Sequence, residues 1–308
     1  MKLHGIHHVT AITSRARENH DFYTRMLGLR LVKKTVNQDD VSAYHLFYAD
    51  GAGTPGTDLT FFDWPAARES RGANSIIRTG LRIGSEASLE WWRQRLGAQA
   101  RLTERDDRPV LDFEDPEGQR LSLVVDTDPV AALWEKSAVP ADHQIRGLGP
   151  VIIAVRKIAS TDRVLRELLG MDLARVYDWN GSETRVYRCG AADGAAREVH
   201  IAAEPDAAPA RQGAGGVHHL ALRTKLADYE AWARQLAESG LPNSGPVDRF
   251  WFLSLYFRDP NGILIEIATD EPGFATDEPL DKLGETLSLP PFLEPRRREI
   301  EAGLKPLA

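Results

Sequence analysis

The sequence predicts an α+β fold of four βαβββ modules, paired into two cupped half-barrels. Three observations predict it. A strand, a helix and then several strands recur four times along the chain. The helices of the first and third units close on matching segments, Met26-Leu27-Gly28-Leu29 and Leu168-Leu169-Gly170-Met171, with a strand after each. The second and fourth units close on Asp115-Pro116-Glu117-Gly118 and Asp259-Pro260-Asn261-Gly262, each followed by an alternating strand.

In the first unit, Ile6 to Ile12 is rich in β-branched residues and reads as a strand. Residues 17–27 place Phe22, Tyr23, Met26 and Leu27 at helical spacing, and Gly28 supplies the stop. Leu29 to Val36, Ala43 to Tyr48 and Asp58 to Phe62 read as three more strands, the last after the turn Thr54-Pro55-Gly56-Thr57. The second unit has a strand at Ser75 to Ile83, a helix carrying Leu89, Trp91, Trp92 and Leu96, and a final strand at Leu121 to Val125. The third begins at Val151 to Val155, continues in a helix over 161–169, and returns as a strand at Leu173 to Tyr177. The fourth starts at Val217, has a helix from Leu226 to Ser239, and closes with the strand Ile263 to Ala268. One such unit cannot cover its own sheet face, so two must pair, and the concave side of a paired sheet is a natural site. Asp126 to Gly149 and the Ala- and Gly-rich Ala207 to Gly216 read as linkers. The tail after Phe274 ends in a short helix whose Arg296-Arg297-Arg298 run, followed by Glu299 and Glu301, reads as a solvated face.

With 308 residues, 42% hydrophobic and 27% charged, the composition is that of an ordinary globular protein. A net charge of −7 without a basic cluster argues against a nucleic-acid partner. No run of eighteen apolar residues predicts a membrane span, and the N-terminus lacks the apolar core of a signal peptide, so a cytoplasmic location is expected. Cys189 is alone, which excludes an intrachain disulfide and a cysteine-held metal; it reads as a partly buried strand residue. Assembly into a homo-oligomer is left open.

Two adjacent-histidine pairs begin equivalent strands, His7-His8-Val9-Thr10 and His218-His219-Leu220-Ala221. Strand neighbours point to opposite faces, so one member of each pair can look into a given cavity. A single strand histidine is ordinarily structural; two pairs at the same place in two units favour a metal. Six residues beyond Pro260 stands Glu266, flanked by isoleucines; it faces solvent in an alternating strand or is bound to a cation. The same count from Pro55 reaches Phe61, an apolar residue. Two histidines, one carboxylate and an open face are the pattern of non-haem Fe(II) oxygenases. His45, in an aromatic strand, is placed to approach the site but reads first as a hydrogen-bonded core histidine, and Trp91 and Trp92 read as packing against a sheet.

The repeats and these positions resemble the vicinal oxygen chelate superfamily of glyoxalases, bleomycin-resistance proteins and extradiol dioxygenases, and within it the hydroquinone ring-cleaving dioxygenases. The likeness runs over nearly the full length. It includes the His-His-x-Thr of residues 7–10, Tyr44-His45-Leu46-Phe47-Tyr48-Ala49-Asp50, Gly53-Thr54-Pro55-Gly56-Thr57, Ser88-Leu89-Glu90-Trp91-Trp92, Val217-His218-His219 and Gly273-Phe274. The resemblance implies metal ligands at His8, His219 and Glu266. Around them it implies catalytic or supporting residues at His7, Thr10, His218, Arg249 and Tyr256. It implies Fe(II), with Mn(II) suited to the same ligands, and as partners an aromatic diol and O2. Ligands about 2 Å from one ion must meet, so units one and four are expected to share one barrel. The metal-binding barrel would then be residues 1–70 plus 213–275, the second barrel 71–212 and the tail 276–308. Two other functions occur in the same superfamily: a glyoxalase-like isomerase or lyase, which wants a fuller carboxylate set, and a non-catalytic small-molecule-binding protein, which needs no metal triad.

Overall fold

The computed structural model describes residues 1–126, 132–190 and 194–307. Four βαβββ units follow one another. The first is β1 (Ile6–Thr13), α1 (Ala16–Asp21), β2 (Arg30–Val36), β3 (Tyr44–Ala49) and β4 (Asp58–Asp63). The second is β5 (Ser75–Ile83), α2 (Glu86–Leu96), β6 (Arg101–Arg105), β7 (Arg108–Glu114) and β8 (Arg120–Val125). The third is β9 (Leu148–Val155), α3 (Ile158–Arg163), β10 (Asp172–Trp179), β11 (Ser182–Arg188) and β12 (Glu198–Ala203). The fourth is β13 (Val217–Thr224), α4 (Tyr229–Glu238), β14 (Asn243–Asp248), β15 (Phe252–Arg258) and β16 (Leu264–Pro272), and α5 (Arg297–Gly303) ends the tail. The helices of units one and three begin earlier than the periodicity predicts, and both widen into a π-helical turn, Phe22–Met26 and Val164–Leu168, before the matching glycine. No helix is long and apolar enough to cross a membrane among the described residues.

The sixteen strands form two curled eight-stranded sheets, each a half-barrel. One runs β14-β15-β16-β13-β1-β4-β3-β2 and so joins units one and four; the other runs β10-β11-β12-β9-β5-β8-β7-β6 and joins two and three. The first and last units meet through the antiparallel pair β1 and β13. The stretch 207–216 is not the free linker that its composition suggests. It pairs with the connection between units one and two, through bridges Arg68 to Ala214, Ser70 to Arg211 and Ala73 to Pro209.

The Asp-Pro-x-Gly turns latch the two sheets together. Asp115 Oδ1 accepts from the backbone N–H groups of Glu117 and Gln119, and Asp259 Oδ1 does the same for Asn261 and Ile263, each at 2.9 Å. Each turn then reaches the helix of the preceding unit. Tyr23 donates to Asp115 at 3.1 Å, and Ser14 N–H to Glu117 at 3.0 Å. In the other half, Thr161 donates to Asp259, and Asn261 Nδ2 to the Lys157 carbonyl at 2.9 Å. Units one and two, and likewise three and four, are thus joined by helix and turn, while the sheets join one with four and two with three.

The tail straps the outer edge of the first sheet. Lys33 on β2 is fully buried, 2.9 Å from Asp277 and hydrogen-bonded to Glu278, and its ammonium lies 5.1 Å from the Trp251 ring centroid. Asp277 also accepts from Trp251 Nε1 at 2.9 Å. Removing one member of a buried ion cluster strands the others without a counter-charge. Lys33→Met is therefore expected to lower the free energy of urea unfolding by about 3 kcal/mol; an unchanged midpoint and slope would show that the tail carries no such load.

Candidate metal centre

The first sheet brings His8 on β1, His219 on β13 and Glu266 on β16 to one point. His8 Nε2 and His219 Nε2 lie 3.1 and 2.9 Å from Glu266 Oε2 and 3.3 Å from each other. All three residues are buried, Glu266 completely. The ladder explains the meeting, because His8 pairs with Ala221 and Ala221 with Glu266, while His219 pairs with Thr10 on the next row.

The predicted alternation is broken at both histidine pairs, and the break has a use. Between Ile6 and His8 the partner strand advances by a single residue, so His7 is the extra residue of a β-bulge; between His219 and Val217 the same holds for His218. The bulges let each pair touch through its rings: His7 Nδ1 is 2.9 Å from His8 Nδ1, and His218 Nδ1 is 2.8 Å from His219 Nδ1. His7 Nε2 lies 3.1 Å from the Thr269 carbonyl, which only accepts, so that nitrogen carries the proton. His7 Nδ1 must then accept from His8 Nδ1–H, and His8 presents a bare Nε2 lone pair to Glu266. Burial lowers His7 to about 3 and lowers His219 as well, which keeps both rings neutral.

Glu266 is fixed from the other side, where its Oε1 accepts from Ser254 Oγ on β15 at 2.6 Å. Its Oε2 is buried and has no hydrogen-bond donor. Burial alone would raise this carboxyl, yet the two facing imidazoles hold it well below the ordinary range. With His8 in the tautomer set by Thr269, its Nε2 lone pair faces those of Glu266 Oε2 with no proton between them. A divalent cation resolves that arrangement, and donor atoms about 3 Å apart are those of neighbouring ligands about 2.1 Å from one ion. The residues fit a metal.

Beside this group opens a pocket lined by Phe47, Phe62, Trp251 and Phe252, with Asn37, Gln38, His45, Arg249 and Tyr256 as its further polar members. Arg249 Nε donates to the Tyr256 hydroxyl at 3.3 Å and its guanidinium lies 5.3 Å from that ring's centroid; its other arm holds Asp39 at 2.9 Å. Burial, with the Glu266 charge beside it, pushes the Tyr256 hydroxyl far up, so it stays protonated. The other expected site residues take different places. His7 packs behind His8, and His218 lines a separate polar cavity with Glu69, Gln212 and Arg258. Thr10 accepts from Thr60 at 2.8 Å.

Phe61 does not stand at the fourth position of the site. It lies in the core, with ring centroids 4.6 Å from Tyr23 and 5.9 Å from Tyr48. The ladder pairs Thr10 with Thr60 as it pairs Ala221 with Glu266, so Thr60 is the counterpart of Glu266. The turn Pro55-Gly56 is one residue shorter than Pro260-Asn261-Gly262, and an equal count overshoots by one. Ser254, Thr60 and Gln38 were not found from the sequence; for Ser254 the signal was its period-two spacing from Tyr256. Cys189 is fully buried just beyond β11, with its thiol pushed up to about 12 by burial, and is inert.

Among the described residues a second group, Asp106, Glu198 and His200, also converges. Here the carboxylates are already held: Arg108 and Arg175 lie 2.7 and 2.8 Å from Glu198, and both reach Asp106. The row Arg78–Ile152–His200 of the second sheet matches His8–Ala221–Glu266 of the first. An arginine therefore stands where a ligand stands in the other half.

Comparison with known proteins finds relatives over the full length of the chain. The model of the Glyoxalase/Bleomycin resistance protein/Dioxygenase superfamily matches residues 5–68 and 147–267. The chain is 45% identical, over the whole of both chains, to a Bacillus subtilis (strain 168) protein named "Putative ring-cleaving dioxygenase MhqA". It is 30% identical to the "Chlorohydroquinone/hydroquinone 1,2-dioxygenase" of Sphingobium indicum (strain DSM 16413 / CCM 7287 / MTCC 6362 / UT26 / NBRC 101211 / UT26S), over 97% of this chain and 95% of that one. A crystal structure titled as a "putative dioxygenase" from Bacillus subtilis subsp. subtilis str. 168 superposes with a TM-score of 0.92 at 35% identity, covering 99% of this chain and 97% of the other. Glyoxalase I from Zea mays shares the fold at 15% identity, with a TM-score of 0.61 over 86% of this chain and 92% of that one. Matched by sequence over its full length and by its paired half-barrels, the chain belongs to the glyoxalase/bleomycin resistance protein/dioxygenase superfamily.

Proposed function

We propose that this protein is an Fe(II)-dependent dioxygenase that opens the ring of an aromatic diol, hydroquinone-type or catechol-type, with His8, His219 and Glu266 as the metal ligands. The observation that carries the reading is the convergence of three lone-pair donors, one an orphaned carboxylate oxygen, at the wall of a pocket lined with aromatic rings. The names of the full-length relatives support the same chemistry. The metal-binding unit is residues 1–70 with 213–275, residues 71–212 form the second barrel, and 276–308 form the tail.

When bound, Fe(II) supplies adjacent positions for a diol oxygen and O2 and a path for electron density between them; Mn(II) suits the same donors. The chain contributes the rest. Phe47, Phe62, Trp251 and Phe252 sandwich a ring and exclude water. Tyr256, kept protonated, donates a hydrogen bond to an oxygen gaining negative charge and can pass its proton there. Arg249, whose Nε donates to the Tyr256 hydroxyl, stabilises the phenolate left when that proton is passed. His7 and His218 orient the ligand imidazoles from behind, while Thr10 anchors Thr60 beside them. A glyoxalase-like isomerisation is less well served, because the counterpart of Glu266 is a threonine that already donates to Thr10.

Four outcomes are expected. Protein reconstituted anaerobically with Fe(II) should consume about one O2 per methylhydroquinone, chlorohydroquinone or catechol and give a ring-opened product, while His219→Ala should bind no stoichiometric iron. Full iron content in that variant would rule the site out; bound iron without O2 uptake in the parent would discard the diol assignment. Ser254→Ala, which frees Glu266 Oε1, should weaken iron binding by about 10- to 100-fold, measured by competition with a chelator. Tyr256→Phe should keep its iron and lose about 100-fold in kcat, and a kcat within twofold of the parent would remove Tyr256 from the proton path.

A further inference from the structure

The two halves of the first sheet are related by an approximate two-fold that exchanges β1 with β13 and β4 with β16. It carries Glu266 onto Thr60, and it carries Ser254 onto His45, since Ser254 pairs with Ala268 as His45 pairs with Phe62. The hydrogen bond Ser254 to Glu266 thus has its counterpart in His45 to Thr60, at 3.0 Å. The difference between the halves is that His45 has a second ring nitrogen to offer.

The hydrogen bonds set which nitrogen that is. The single hydroxyl proton of Thr60 goes to Thr10 Oγ1, so Thr60 can only accept from His45, and His45 Nε2 carries the imidazole proton. Nδ1 is left as a bare acceptor. Among the described residues nothing hydrogen-bonds to it, and the ring lines the pocket. Phe47 and Phe62 hold the ring in place, with centroids at 4.0 and 4.4 Å. His45 stands on β3, two strands from His8 on β1, so roughly 10 Å of sheet separates their backbones. The space between them is the aromatic-walled pocket.

We propose that His45 is a specificity-determining residue whose Nδ1 accepts a hydrogen bond from the ring hydroxyl that points away from the metal ligands, selecting diols whose second hydroxyl lies across the ring. This rests on the diol reading above. A hydroxyl ortho to the metal-side oxygen stays at the metal side, whereas a para hydroxyl crosses the pocket. The neutral, singly protonated imidazole favours a donating hydroxyl over an ether or a halogen at that end.

The test is anaerobic calorimetric titration of the Fe(II)-loaded protein with hydroquinone, phenol and catechol, with no turnover involved. The parent should bind hydroquinone about tenfold more tightly than phenol. His45→Phe, which keeps a ring but removes the acceptor, should bind the two equally and leave catechol unchanged. His45→Gln, which restores an acceptor, should recover most of the difference. Equal affinity of the parent for hydroquinone and phenol overturns the inference without recourse to a variant, as does a His45→Phe protein that keeps the full ratio or loses affinity for all three ligands alike. O2 uptake measured separately distinguishes the two readings. A ratio that depends on His45 without uptake sinks ring cleavage and leaves the residue's role; uptake with a ratio indifferent to His45 does the reverse.

Discussion

The antiparallel pairing of β1 with β13 is the constraint on which the site depends. It is the seam between the first and last units, and each strand carries one bulge where it meets the other. Without the bulges His7 and His218 would point out of the opposite face, and the His7 ring that sets the tautomer of His8 would be lost from it. The second sheet has irregular register at the corresponding places in β5 and β9, with no histidine there. The bulges therefore belong to the fold, and one of its two copies has been filled with imidazoles.

That asymmetry is electrostatic as much as steric. Where the first half-barrel gathers uncompensated lone pairs, the second gathers arginines and carboxylates that satisfy one another. Arg78 and Arg105 share Asp112, and Arg108 and Arg175 share Glu198 and Asp106. A self-neutralised network of this kind has no appetite for a cation, while an orphaned carboxylate does. One scaffold, duplicated, yields one half poised for ligand binding and one half that is cross-braced.

Much of the architecture was legible in the sequence, because the repeated helix stops and Asp-Pro-x-Gly turns are local signals. The convergence of His8, His219 and Glu266 was legible too, because the histidine pairs begin equivalent strands and Glu266 lies at a fixed offset from Pro260. The offset failed at Phe61, where a turn one residue shorter shifted the count from Thr60. Bulges left no trace in the pattern of side chains, so the contact within each histidine pair was out of reach. His45 was half read: it is hydrogen-bonded, as expected, but it lines the pocket. Its role depends on the partner of Thr60, a residue two strands away. The buried Lys33 and the pairing of 207–216 with 68–73 likewise arise from contacts between distant segments, which periodicity does not report.

The nested order of the sheets has a consequence for how the protein comes into being. Chain synthesis delivers His8 first and Glu266 near the end, and the half-barrel that unites them closes around a second half-barrel already complete. During translation the first unit must wait, its sheet edge and apolar face uncovered, until the fourth has emerged. A ribosome that stalls early releases a chain with one imidazole pair and no carboxylate. Such fragments cannot bring His8, His219 and Glu266 together, so that convergence is reserved for finished molecules.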